Sequence, residues 1–259
     1  MKEQEIKKYP VEITLYRNAT MRIKHYGINI LTDPMLSPKE SFMSFITPQK
    51  NLNPTVDLPT SLDNILKKID LVIVSHLHPD HFDAKAMEVL PKDIPMICTH
   101  EDKEALSEMG FSDIHGLKDQ LMWNGITFTA IYGEHGNNEL EDKLGPANGF
   151  IIEAPGYDTI YWIGNCILNN EIKKVIHHYH PRIIITHSGG AIYLDKHHIL
   201  MNGYDTIDIA KQAPKSKIVA VHLDALDHCK ETRESLRRKI IEEEADNIFI
   251  PLDGQKLVF

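Results

Sequence analysis

The sequence predicts an α/β fold of layered sheets, and three observations predict it. Strand-like runs come first, strand and helix then alternate, and a second alternating series follows. Residues 71–74 (LVIV) form a continuous apolar, β-branched run of the length and type of a buried strand. Polar residues recur where strands stop, and in layered α/β folds sites gather where strand ends converge. No linker and no short repeat divides the chain, so residues 1–259 are read as one domain.

Residues 11–20 (VEITLYRNAT) and 21–31 (MRIKHYGINIL) read as two or more strands with a turn at Tyr26-Gly27, ended by Thr32-Asp33-Pro34. Between 37 and 59 the composition shifts: Pro38, Pro48, Pro54 and Pro59 stand among Ser, Asn and Thr, with Phe42, Met43 and Phe45 between them. That predicts a long loop, serving as a substrate wall or as a plug on the core edge. A short helix over 61–68, capped by Ser61 or Asp63, feeds the strand at 71–74. A helix at 84–90 is stopped by Pro91, a strand follows at 95–99, and a helix at 101–109 is closed by Gly110. Strands are expected at 126–132 (ITFTAIY), 150–153 and 159–163, the last two joined by a Pro155-Gly156 turn. Helix 171–178, strand 182–186, helix 204–212, strand 217–221, a charged helix at 231–245 and strands at 248–251 and 256–259 complete the order.

Composition narrows the function. With 42% hydrophobic and 25% charged residues the chain is an ordinary soluble globular protein. A net charge of −9 argues against a nucleic-acid backbone or an anionic membrane as the main partner. Cys98, Cys166 and Cys229 form no disulfide pattern, which points to a reduced, cytoplasmic setting. The opening MKEQEIKKYP has no apolar core after it, as a signal peptide would, and no apolar run approaches the roughly 18 residues that span a bilayer. A small-molecule substrate is the expected partner, with self-association open. The unusual count is histidine, at 15.

The densest cluster lies in IDLVIVSHLHPDHF, residues 69–82. A buried strand that delivers ligands into a loop fixes their backbone, so ordering them around a cation costs little further entropy. His76 and His78, two apart on extended backbone, point the same way and can share one ion. Asp80 and His81 follow Pro79, which stiffens the turn. His135, Asn165, His187 and His222 each follow a separate expected strand. One histidine after a strand is more often a cap or a surface residue; several together with a cluster at 76–81 point to metal. His177, His178, His180, His197 and His198 read as surface or helix-end residues.

HLHPDH is an H-x-H-x-D-H motif, and the chain resembles the metallo-β-lactamase superfamily, in particular the branch of small metal-dependent hydrolases that includes the ascorbate-6-phosphate lactonase. The resemblance spans nearly the whole chain: an opening hairpin with Asp33-Pro34, the motif loop, His135-Gly136, a Gly-Asp-Thr-like turn at 164–166, Gly189-Gly190 and the late His222. It implies a four-layer αββα sandwich with one or two metal ions at the edge between its sheets. His76, His78 and His135 would hold the first ion, Asp80, His81 and His222 the second, and Asp33 would orient the motif loop. The donor set suits Zn2+, Mn2+ or Fe2+. The implied reaction is hydrolysis of a small-molecule ester, lactone or phosphoester by a metal-bound hydroxide, which Asp80 orients while passing a proton to the leaving group.

Asn165 departs from the pattern, because the family carries a bridging Asp there. An amide offers an oxygen without offsetting the charge of two cations about 3.5–4 Å apart, which predicts weak occupancy of one site or a single ion. The alternative function is therefore a metal-binding homologue with little or no turnover. His187 maps to no family ligand; binding an anionic substrate group, stabilising transition-state charge and simple packing are its open roles.

Overall fold

A computed structural model describes residues 9–136, 140, 144–145, 147–193 and 197–259. The first half of the chain runs β1 (Glu12–Arg17), β2 (Thr20–His25), β3 (Ile28–Thr32), a small hairpin of β4 (Phe42–Met43) and β5 (Leu52–Asn53), α1 (Leu62–Leu66), β6 (Leu71–Val74), α2 (Ala84–Val89), β7 (Met96–Thr99), α3 (Lys103–Glu108) and β8 (Ile114–Leu117). The second runs β9 (Gln120–Trp123), β10 (Ile126–Gly133), β11 (Ala147–Glu153), β12 (Ile160–Trp162), α4 (Asn170–Tyr179), β13 (Ile183–His187), a short hairpin of β14 (Ile192–Tyr193) and β15 (His197–His198), α5 (Gly203–Gln212), β16 (Lys217–Val221), α6 (Arg233–Glu242), β17 (Ile248–Phe249) and β18 (Lys256–Val258).

Two seven-stranded sheets result, in the orders β18-β1-β2-β3-β6-β7-β8 and β17-β16-β13-β12-β11-β10-β9. Each is antiparallel in one half and parallel in the other; the parallel runs are β3-β6-β7-β8 and β12-β13-β16-β17. The chain does not close the first sheet until its far end, where β18 pairs with β1 through Glu12 and Val258.

The continuous apolar runs follow from burial on both faces. In β6, Leu71 and Ile73 join the core between the sheets, while Val72 and Val74 face the helix layer with Ile65, Ala86 and Leu106. In β13, Ile183 and Ile185 face the other sheet, and Ile184 packs outward with Ile172 and Ile207. Trp162 stacks on Phe150 in the central layer, ring centroids 5.3 Å apart. Each such side chain removed from water stabilises the fold by about 1.5–3 kcal/mol. The αββα sandwich is thus present.

Some elements differ from expectation. The opening segment makes three strands, within the two or more expected, but with a turn at Asn18-Ala19 that the sequence reading did not mark. Strands β8 and β9 have no counterpart in the sequence reading. The last helix starts at Arg233, capped by Thr232, and ends at Glu242, shorter than 231–245. Loop 37–59 carries the β4–β5 hairpin and is both plug and wall: Phe42 packs with Met35, Ala225 and Leu226, while Phe45 and Ile46 line a pocket.

Candidate metal centre

Strand ends converge at one edge of the sandwich. His76, His78, Asp80 and His81 lie between β6 and α2, His135 follows β10, Asn165 follows β12, His187 ends β13 and His222 follows β16. The backbone there is bent sharply. Asn18 (φ 55°), Asp33 (φ 37°) and His222 (φ 63°) occupy the left-handed region, a conformation costing about 1–3 kcal/mol that persists only where its surroundings fix it. Asn18 contributes to that fixing, its side-chain NH2 donating to Asp80 O at 2.9 Å and its carbonyl accepting from His222 N–H at 3.1 Å. Gly189 is needed for close approach, since a Cβ there would lie 2.3 Å from His222 O.

Donor atoms of His76, His78 and His135 all lie within 4.8 Å of one another. Their tautomers follow from their partners. The Ser75 hydroxyl donates to Asp33 Oδ2 at 2.8 Å, so it accepts from His76 Nδ1–H at 2.9 Å. His135 Nδ1–H donates to Ile199 O at 2.9 Å. Both rings therefore turn a bare Nε2 into the site, and His76 Nε2 is buried with no partner. An orphaned buried nitrogen costs about 1–3 kcal/mol. Burial keeps these imidazoles neutral: it holds His76 well below its usual range and pushes His135 down to about 3. Neutral convergent nitrogens, one of them unsatisfied, fit a divalent cation.

Asp80, His81 and His222 form a second group of the same kind. Asp80 Oδ2 lies 3.4 Å from both His81 Nε2 and His222 Nε2. Burial would raise the Asp80 carboxyl, but His81 and His222 outweigh it and hold the group well below the usual carboxylate range. Three neighbours contest His81. Against burial, Asp80 and Asp33 favour a proton on it and push it up to about 10, whereas the Asn165 NH2, 2.9 Å from Nε2, requires a lone pair there. Nδ1, 2.6 Å from Asp33 Oδ2, carries a proton in either case. Asp33 also accepts from Ser75 N–H at 2.7 Å, so it braces the motif loop without reaching either group of donor atoms.

His187 stands behind Asn165, fully buried, with Nδ1 2.6 Å from Asn165 Oδ1 and Nε2 2.9 Å from Trp162 Nε1. Both ring nitrogens are taken, and the residue does not line the pocket. Cys166 is a buried thiol pushed up to about 12 by burial, and offers no thiolate.

A pocket of about 220 Å³ opens over these groups. His78, Asp80, His135, Asn165 and His222 form its floor; Phe45, Ile46, Ile192, Tyr193 and Leu200 are among its walls. No Lys or Arg lines it among the described residues. Sequence reasoning missed His228, which also lines it. His228 is 5% exposed, its Nδ1 has no partner, and burial pushes it down to about 4, leaving it neutral. Phe45 packs edge-on against its ring at 5.2 Å. No spacing signal marks a lone histidine in ALDHCK; the fold alone brings it to the site.

A family model described as "Beta-lactamase superfamily domain" matches residues 28–223. The chain is 36% identical over 254 residues to the UPF0173 protein YddR of Bacillus subtilis (strain 168), covering 96% of this chain and 100% of that one. A possible metal-dependent hydrolase from Veillonella parvula DSM 2008 superposes with a TM-score of 0.92 at 31% identity, over 96% of this chain and 99% of its own. The isothiocyanate hydrolase from Delia radicum gut bacteria gives 0.90 at 33% identity, over 96% and 98%.

Proposed function

The chain belongs to the beta-lactamase superfamily and, within it, to the UPF0173 metal-dependent hydrolases, and from that premise we propose that its substrate is a small, uncharged electrophile with an apolar tail, an isothiocyanate first among the candidates. The observation that carries this reading is the pocket, with apolar walls over a polar floor and no cationic side chain among its described residues. The solved isothiocyanate hydrolase at 33% identity supports it.

His76, His78 and His135 would hold the divalent ion, Zn2+, Mn2+ or Fe2+, through neutral imidazole nitrogens. When bound, the ion supplies acidified water and Lewis-acid polarisation of the electrophile. Asp80, kept ionised by His81 and His222, sits on the pocket floor where it can take the proton of an attacking water and return it to the leaving nitrogen. The walls exclude bulk water and take the tail. His228, a neutral ring lining the pocket, gives the substrate heteroatom a hydrogen-bonding neighbour. Addition of water to the central carbon of N=C=S gives a thiocarbamic acid, which releases carbonyl sulfide and leaves the amine; one water is consumed and nothing is oxidised.

A lactone or ester is the second reading, favoured by the same neutral walls. A phosphoester would meet no Lys or Arg among the described lining residues. The test is a rate comparison of the metal-loaded protein on benzyl isothiocyanate, a γ-lactone and a 4-nitrophenyl phosphodiester. Chelator-reversible amine release, with kcat/KM at least tenfold above the other two, is expected. Faster turnover of the phosphodiester overturns the reading.

A further inference from the structure

From Trp162 a row of side chains runs through His187 and Asn165 to His81 in the second group of donor atoms. Trp162 Nε1 carries a hydrogen and no lone pair, and it lies 2.9 Å from His187 Nε2. That nitrogen must accept, so the single proton of a neutral, fully buried His187 sits on Nδ1. Nδ1 is 2.6 Å from Asn165 Oδ1 and donates to it. Reversing the amide would set N–H against N–H, so its orientation is fixed. The NH2 of Asn165 then faces the other way, 2.9 Å from His81 Nε2. Beyond it, His81 Nδ1–H donates to Asp33 Oδ2 at 2.6 Å. Every donor in the row points in one direction, from indole to carboxylate, and such chains polarise and strengthen one another.

We propose that Trp162 and His187 lock Asn165 with its N–H, rather than its oxygen, toward Asp80, His81 and His222, closing that group to a tightly held cation and leaving a mononuclear centre at His76, His78 and His135. The inference rests on the reading of both groups as metal sites and adds which of them fills. The Asn165 N–H occupies the His81 lone pair that a second ion needs. It places partial positive charge against His81 Nε2, which itself lies 3.4 Å from Asp80 Oδ2, where that ion's charge would lie. It offers the ion no oxygen. His187 and Trp162 are positioning residues in this scheme, and Asn165, on the pocket floor, presents an N–H donor instead of a ligand.

The test is metal binding by the metal-stripped full chain, without substrate. Zn2+ and, separately, Co2+ are titrated against a competing chelator, with metal content and the Co2+ absorption spectrum as readouts. The wild type is expected to hold one ion, with a second at least 100-fold weaker. Asn165→Asp keeps the bond from His187 and turns an oxygen to the second group, so it is expected to tighten the second ion at least tenfold. Trp162→Phe frees His187 to change tautomer and the amide to turn, and is expected to tighten it as well. Two ions of similar affinity in the wild type, or no change in Asn165→Asp, overturns the inference. Should Trp162→Phe fail to fold, imidazole ¹H–¹⁵N correlation spectra of the wild type decide: a proton on His187 Nδ1 supports the lock and a proton on Nε2 overturns it. No ion in either group would instead overturn the proposed function itself.

Discussion

Asp33 collects a backbone N–H, a hydroxyl and an imidazole N–H, and through them sets the lone pairs of His76 and His81. Asp33→Asn keeps its shape but puts an NH2 where an acceptor is required, so one of those bonds is lost and a ring is free to rotate. Loss of such an outer partner costs about 10–100-fold in metal affinity, and that is the expected result in a chelator competition, with the far-ultraviolet spectrum unchanged. His228 acts on the substrate side instead. His228→Ala removes one hydrogen-bonding nitrogen, worth about 0.5–1.5 kcal/mol, so kcat/KM is expected to fall about threefold to tenfold while metal content stays constant. A parallel loss of metal would place His228 in the metal centre.

The loop over 37–59 is held from two sides. The buried Arg17 donates from Nη2 to Met35 O and Ser37 O at 2.7 and 2.8 Å, and from Nη1 to Val56 O at 3.1 Å. Asp227 accepts from Asn51 and Asn53 Nδ2 at 3.0 Å and from Thr47 Oγ1 at 3.2 Å. These ties set Phe45 against His228, so Asp227→Ala is expected to raise KM several-fold with little change in kcat, and to speed amide exchange over 44–53. The sequence showed this segment as a loop because its prolines are local signals, but the clamps join residues far apart along the chain and left no trace in spacing. The same contrast holds elsewhere. The run at 71–74 and the motif after it were legible because burial on both faces demands a continuous apolar stretch. Strand β8 was not, since Ile114-His115-Gly116-Leu117 sits at a sheet edge and carries neither alternation nor a β-branched run. The two candidate groups of donor atoms were readable from strand ends, whereas Trp162 looked like any core aromatic and the two partners of His187 emerged only from the fold.

At the scale of the molecule, each group of donor atoms draws from both sheets, His76 and His78 with His135, and Asp80 and His81 with His222. A bound ion therefore ties the two sheets together, and added metal is expected to raise the melting temperature in proportion to the logarithm of its free concentration. Acid acts in the opposite sense. His135 and His228 titrate at about 3 and about 4 in the folded chain against 6.5 for an ordinary imidazole. The unfolded chain binds more protons between those values, so stability falls as pH drops from 6.5, by up to about 1.4 kcal/mol per pH unit for each group. Calorimetry of the metal-stripped protein is expected to show falling melting temperatures from pH 7 to 4; a flat profile there would contradict the neutral, buried state of these rings. A different consequence attaches to the pairing of β18 with β1. All the donor residues are synthesised before Lys256, so a nascent chain can capture its ion while β1 still waits for its outer neighbour. Until β18 emerges, β1 presents unpaired amides along one side, a template for any other copy being translated from the same message.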